Sequence, residues 1–252
     1  MEETVRAPPR PLLILSAGLA MTLLSQTAPA RALSPDAQHC EADEIAAAQR
    51  IAACTAVIKA GTDRGKDLVA DYANRAVGWM AQKDLDRAQA DLDQAIKLNP
   101  GNPLAYYNRG NTWHKKGDLD RAIADYTQSI AINAKYGPAF GNRGLVWSEK
   151  KEWARAIADL TEALRIDPDD IIALYRRGQA YRASGQHDLA IADFTSAIRF
   201  DDSAAQLYLS RGKAWLAKGD RANASADLRK ALAINPRFEE AAAALKQVDG
   251  KH

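Results

Sequence analysis

Residues 103–136 read PLAYYNRGNTWHKKGDLDRAIADYTQSIAINAKY, and residues 137–170 read GPAFGNRGLVWSEKKEWARAIADLTEALRIDPDD. Overlaid at a step of 34, the two share an Arg-Gly pair, a tryptophan three residues later and an Ala-Ile-Ala-Asp run. The same step continues outward in both directions. Arg75, Arg109, Arg143, Arg177 and Arg211 form one column, and Ala76, Gly110, Gly144, Gly178 and Gly212 form the next. Ala88, Ala122, Ala156, Ala190 and Ala224 keep step, as do Asp91, Asp125, Asp159, Asp193 and Asp227. A fixed period of this length specifies a solenoid, in which each unit buries its apolar face only against its neighbours.

Each unit reads as two helices and two short turns. In the second, helix A runs from about Pro103 to Lys116, Gly117-Asp118 is the turn, and helix B runs from about Leu119 to Ile132. Asp118 is a natural helix N-cap. Asn99-Pro100, Asp167-Pro168 and Asn235-Pro236 close other units, because proline cannot continue a helix and biases its predecessor away from helical geometry. Tyr72, Tyr106, Phe140, Leu174 and Tyr208 precede the Gly column by four, and Trp79, Trp113, Trp147, Tyr181 and Trp215 follow it by three. That spacing puts both sets on one packed face of helix A. The Arg and Asp columns suit a bidentate ion pair, within a unit or between neighbours.

These columns resemble the tetratricopeptide repeat (TPR) family. In the second unit the pattern falls on Tyr106, Arg109-Gly110, Trp113, Ala122, Tyr126, Ser129 and Ala134. In the third it falls on Phe140, Arg143-Gly144, Trp147, Ala156, Leu160, Ala163 and Pro168. Arginine stands where the broad pattern has leucine. The resemblance covers about residues 69–236 and implies an all-α, right-handed TPR solenoid of five helix-turn-helix repeats. The expected units are 69–102, 103–136, 137–170, 171–204 and 205–238, approximately. An N-terminal half-repeat within 33–68 and a capping helix within 237–252 are expected to close the two ends.

The chain has 252 residues and a formal net charge of +2, which argues against a nucleic-acid partner or a polybasic membrane patch. Residues 1–32 read as a secretory signal peptide of exported bacterial type. Arg6 and Arg10 precede an apolar run from Leu12 to Leu24, and Ala28, Ala30 and Ala32 follow. The run is shorter than the ~20 residues that span a bilayer, and an uncleaved anchor is the alternative. A periplasmic or secreted protein with no membrane span after cleavage is expected. The two cysteines, Cys40 and Cys54, favour a disulfide in that setting. The bond would require Cys40 on a lead-in strand folding back along the helix that carries Cys54. One buried and one free thiol, or a metal pair, are the alternatives.

In TPR proteins helix A lines the concave surface. The resemblance places Tyr107, Asn108, Asn111, Lys115, Asn142, Tyr175, Arg176, Gln179, Arg182 and Lys213 there as ligand-binding residues. Basic residues outnumber acids on this face, which favours an acidic or carboxylate-bearing protein or peptide. Some family members clamp a partner's C-terminal carboxylate. Asn111, Asn142 and Arg176 fall on the asparagine and arginine positions of that clamp, while Tyr107 and Ile172 replace its lysines. With no nucleophile elbow, phosphate loop or paired metal motif, no enzyme activity, cofactor or metal is expected. The function expected is a scaffold binding a protein or peptide in its groove. The alternative is a structural subunit of an envelope assembly acting through its ends or convex face.

Overall fold

The structure, a computed structural model, describes residues 34–42, 45–61 and 65–250. The signal-peptide reading therefore lies outside the described residues. Thirteen helices and no strand are found among those described. They are α1 (Pro35–Glu41), α2 (Ala47–Ala60), α3 (Lys66–Ala81), α4 (Leu85–Leu98), α5 (Pro103–Lys115), α6 (Leu119–Ile132) and α7 (Gly137–Glu149). Then follow α8 (Trp153–Ile166), α9 (Ile171–Ala183), α10 (His187–Phe200), α11 (Ala205–Lys218), α12 (Arg221–Ile234) and α13 (Glu239–Asp249). Each helix packs on the next, and each of α1, α3, α5, α7, α9 and α11 also touches the helix two further on. That contact pattern is a helical solenoid, as the period requires.

The turns repeat as faithfully as the helices. Asp84, Asp118 and Asp220 cap α4, α6 and α12 by accepting from the amide three residues on, at 3.0–3.1 Å. The residue before each of these caps, and before Glu152 and Gln186, has positive φ. It is Gly117, Gly185 or Gly219 in three units but Lys83 (φ 63°) and Lys151 (φ 61°) in the other two. At the opposite edge, Asn99, Asn133, Asp167, Asp201 and Asn235 end helix B in extended conformation. Each side chain accepts from the amide two residues later, at 3.0–3.2 Å.

Where helices A and B come closest, a fully buried Leu92, Tyr126, Leu160, Phe194 or Leu228 on helix B faces the small column of helix A. A Cβ on Gly178 would stand 2.7 Å from the Phe194 ring, and one on Gly110 equally close to Tyr126. Burying these five side chains supplies roughly 1.5–3 kcal/mol each. The aromatic columns are less uniformly buried than their spacing suggests. Trp113, Phe140, Leu174 and Tyr208 are buried, whereas Trp79 and Trp147 are half-covered, each stacked under an arginine from helix B. Arg87 lies 4.5 Å from the Trp79 centroid, Arg121 3.7 Å from Trp113, and Arg155 4.7 Å from Trp147.

The Arg and Asp columns pair within a unit. Nε and Nη2 of Arg75, Arg109, Arg143, Arg177 and Arg211 donate to both oxygens of Asp91, Asp125, Asp159, Asp193 and Asp227. All ten distances lie between 2.7 and 2.8 Å. The third nitrogen, Nη1, crosses to the preceding unit, bonding Thr55, Asp93, Thr127, Thr161 and Thr195 respectively. The bonds to aspartate push the guanidinium pKa of Arg75, Arg109, Arg177 and Arg211 above its usual value, against the opposing effect of burial.

The N-terminal cap corrects one expectation. Cys40 does bond Cys54, with a Cα–Cα distance of 4.7 Å, but it lies on a short helix and not on a strand. Helix α1 is capped by the Ser34 hydroxyl at 3.1 Å and packs on both α2 and α3, the position a helix A occupies. A register shift of 38 aligns Cys54 with Leu92 and Thr55 with Asp93. The disulfide therefore replaces the close contact between small residue and large side chain found in the other units. At the far end, α13 begins 34 residues after α11 and turns Ala241, Ala244 and Val248 inward.

Candidate functional site

The predicted groove residues sit on helices A, and the structure sorts them into groups. Tyr107 and Asn111 on α5, Asn142 on α7 and Arg176 on α9 form one hydrogen-bonded network across three units. The Asn142 amide donates to the Tyr107 hydroxyl at 3.0 Å and to Asn111 Oδ1 at 2.9 Å. Arg176 donates to Asn142 Oδ1 at 3.1 Å and to the Gly141 carbonyl at 3.2 Å. A buried hydroxyl completes it from below, since Tyr126 donates to Asn111 Oδ1 at 2.8 Å. Tyr136 packs edge-on against Tyr107 at 5.2 Å.

An open cavity of about 460 Å³ lies over this network. Asn111, Asn142 and Arg176 line it together with Val77, Met80, His114, Lys115 and Leu145. His114 Nε2 meets both oxygens of Glu149 at 2.8 and 2.9 Å, joining α5 to α7. Electrostatics single out Arg176. Burial lowers its pKa below the usual arginine value, and the attraction of Asp170, Tyr107, Tyr126 and Glu149 only partly offsets this. No carboxylate lies within ion-pair distance of it among the described residues, unlike the five ladder arginines. Burial also pushes the Tyr126 hydroxyl pKa upward, and that of Tyr136 to about 12, so both stay protonated donors at neutral pH.

Tyr175, Gln179 and Arg182 form a second group. The Gln179 amide donates to the Tyr175 hydroxyl at 2.6 Å, and Arg182 donates to Gln179 at 3.2 Å. Arg182 is half-buried, and its Nε is buried with no hydrogen-bond partner. The remaining predicted residues stand apart. Asn108 is buried, because its face of α5 packs on α3, as the 3.2 Å contact from Thr112, one turn on, to Met80 Sδ shows. Lys213 is engaged by Glu240 of α13, so it does not extend the basic patch. Lys115 is exposed at the cavity's edge.

Sequence reasoning missed Tyr126 and Tyr136, and it placed His114 and Glu149 on the groove face without foreseeing that they pair. A usable signal was present. Tyr107–Asn142, His114–Glu149 and Gly141–Arg176 are each 35 apart, one of the offsets, with 31, 32 and 34, at which neighbouring helices A meet.

Models of the tetratricopeptide repeat match residues 80–138, 160–192, 178–219 and 205–238. Together these spans reach more than half of the 252 residues. The chain belongs to the TPR family. The solved structures agree in fold. YrrB, described as a TPR protein with an unusual peptide-binding site, superposes with a TM-score of 0.65 at 24% identity, over 77% of this chain and 97% of that one. MamA from Desulfovibrio magneticus RS-1 gives 0.63 at 19% identity, over 68% and 97%. TTC0263 of Thermus thermophilus, a thermophilic TPR protein, gives 0.54 at 20%, over 71% and 98%. No curated protein matches the sequence significantly. TPR arrays are protein-interaction scaffolds and typically non-catalytic, which supports a binding role here over an enzymatic one.

Proposed function

We propose that this TPR protein holds a carboxylate-bearing segment of a protein partner, an acidic stretch or a C-terminus, on the Asn111–Asn142–Arg176 network of its concave face. The observation that carries this is Arg176. It is a half-buried cation at the wall of an open cavity, fixed by neutral acceptors and lacking a carboxylate partner. The guanidinium fork of Arg176 suits a carboxylate, Asn142 holds that fork in place, and partial burial makes the pairing stronger than at an open surface. The peptide-binding site reported for YrrB supports the same use of the fold.

The signal-like residues 1–32 and the disulfide together support action in an oxidising, extracytoplasmic compartment. Mass spectrometry of exported protein, expected to start at Arg31 or Leu33, tests that part. The binding part is tested by calorimetry with peptide pairs that differ only in a free or an amidated C-terminus, and with Asp/Glu-rich internal peptides. Arg176→Gln should weaken the carboxylate-bearing peptides by roughly tenfold or more, as for loss of a charge-assisted bond. Equal affinity in wild type and variant for every such peptide would overturn the reading.

A further inference from the structure

Seven large apolar side chains stand exposed among the described residues, and five of them lie on one edge of the solenoid, away from the A–B turns. Leu98, Ile132 and Phe200 end helices B, while Leu104 and Ile172 open helices A. Ile172 and Phe200 are the most open, at 60% and 50% of full exposure. Both belong to the α9–α10 hairpin and lie at the same end of it. In the preceding hairpin, a Cβ on Gly137 would lie 3.5 Å from Ile166, and the equivalent pair one period on is Ile171 and Phe200.

Charge distinguishes this part of the edge from the rest. The loop 99–102 carries no charge, and loops 133–136 and 235–238 carry one lysine and one arginine. The loops on either side of the α9–α10 hairpin carry five aspartates: Asp167, Asp169, Asp170, Asp201 and Asp202. Among the described residues none of these five is in an ion pair, and the neighbouring Arg165 is taken by Glu162 at 2.8 Å. Asp167, Asp170 and Asp201 are held in place by loop and helix amides. Exposed Ile and Phe thus stand beside five carboxylates, against which the nearby cations are the exposed Arg199 next to Phe200 and Arg176, which attracts Asp170. An apolar patch rimmed by polar groups marks an interaction site, and a rim with an excess of one sign favours a partner of the other. An anionic bilayer would be repelled by it.

We propose that the loop edge around Ile172 and Phe200 is a second docking surface, for a partner-protein segment whose apolar side chains are flanked by lysine or arginine. It is opposite in charge preference to the groove, which it adjoins because Ile172 lies one turn before Arg176 on α9, and it does not rest on the groove reading.

The test is fluorescence anisotropy of the full-length chain with three dye-labelled nonapeptides. They share a central Leu-Phe-Leu and differ only in Lys, Gln or Glu flanks. The Lys-flanked peptide is expected to bind about tenfold more tightly than the Glu-flanked one, which corresponds to ~1.4 kcal/mol. Phe200→Ser and Ile172→Ser, with unchanged circular dichroism, should each weaken it about fivefold or more. Asp169→Asn with Asp202→Asn should bring the three peptides to similar affinities. Phe200→Ser should leave binding of the carboxylate-bearing peptides to the groove unchanged, so failure of the groove reading and failure of this one are separable. Indistinguishable binding of the three peptides to wild type overturns the proposal. So does binding lost in Arg176→Gln yet retained in Phe200→Ser. A concentration-dependent dimer in sedimentation that Phe200→Ser abolishes would assign the edge to a second copy of the chain and overturn it as well.

Discussion

Replacing Arg143 by methionine removes three hydrogen bonds at once: two to Asp159 at 2.7 Å and one to Thr127 at 2.9 Å. Methionine keeps most of the side-chain stem that lies along Phe140, so the loss is chiefly polar. Breaking a fully buried pair costs about 3–5 kcal/mol, because the remaining charge stays desolvated. The side chains here retain 18% and 10% of their exposure, so water screens part of that, and about 2–4 kcal/mol is expected. Arg165 is the control, since it makes one 2.8 Å contact to Glu162 with the pair 64% and 43% exposed. Its replacement by methionine should cost no more than about 0.5 kcal/mol. Asp159→Leu in the Arg143→Met background should recover at least about 1 kcal/mol, because it removes the stranded carboxylate. Urea unfolding followed both by tryptophan fluorescence and by circular dichroism measures wild type, the three single variants including Asp159→Leu, and the double variant, and checks that the two signals coincide. Equal midpoints for the Arg143 and Arg165 variants, or strict additivity in the double variant, would refute the claim that the ladder pairs carry stability.

Lys151→Gly should raise stability by about 0.5–1 kcal/mol, because Lys151 sits at φ 61° where three other units use glycine; a lower urea midpoint would count against it. Replacing Cys40 and Cys54 by serine should cost the cap roughly 2–4 kcal/mol, read as faster hydrogen exchange confined to α1, α2 and α3. Two reactive thiols in unreduced protein would instead show that the bond is absent. The Asp118 and Asp220 carboxyls are held below their usual pKa, first by the backbone amides of Arg121 and Asn223 that they accept from. A depressed folded pKa contributes stability above the unfolded value that is lost as pH falls through the folded one. Asp118→Asn with Asp220→Asn, which keeps a capping oxygen, should therefore lose less melting temperature between pH 5 and pH 2 than wild type; parallel curves would contradict this.

The solenoid is legible in the sequence because packing between identical neighbours forces identical columns. The fully buried alanines at 88, 122, 156, 190 and 224 and the Arg–Asp pairs recur at one step, and repetition separates them from chance. Even Cys54 is readable as a displaced Leu92. The site is harder to read. A helix A meets its own helix B, the helix B before it and two other helices A, and the 3.6 period gives a direction without saying which neighbour fills it. Asn108 therefore reads as a groove residue in the sequence although its face packs on α3. Lys213 illustrates a different obstacle: long charged side chains choose partners by reach, and Glu240 lies one unit away. Spacing likewise does not decide whether a ladder arginine pairs within its unit or across units, since both lie within reach of its fork.

The third nitrogen of each ladder arginine gives the molecule a mechanical polarity. Arg109 grips a carboxylate of the unit before it, Asp93 at 2.7 Å, whereas Arg75, Arg143, Arg177 and Arg211 grip threonine hydroxyls at 2.9–3.2 Å. The end nearest that charged clasp is also the end bolted by the disulfide, while α13 is held by packing and side-chain contacts without a covalent tie. A machine that draws the chain in by its C-terminus would meet the weaker joints first and peel the hairpins off one by one. Pulling from the other end, it would have to draw α1 and α2 off α3 together, because the disulfide ties those two helices into one piece.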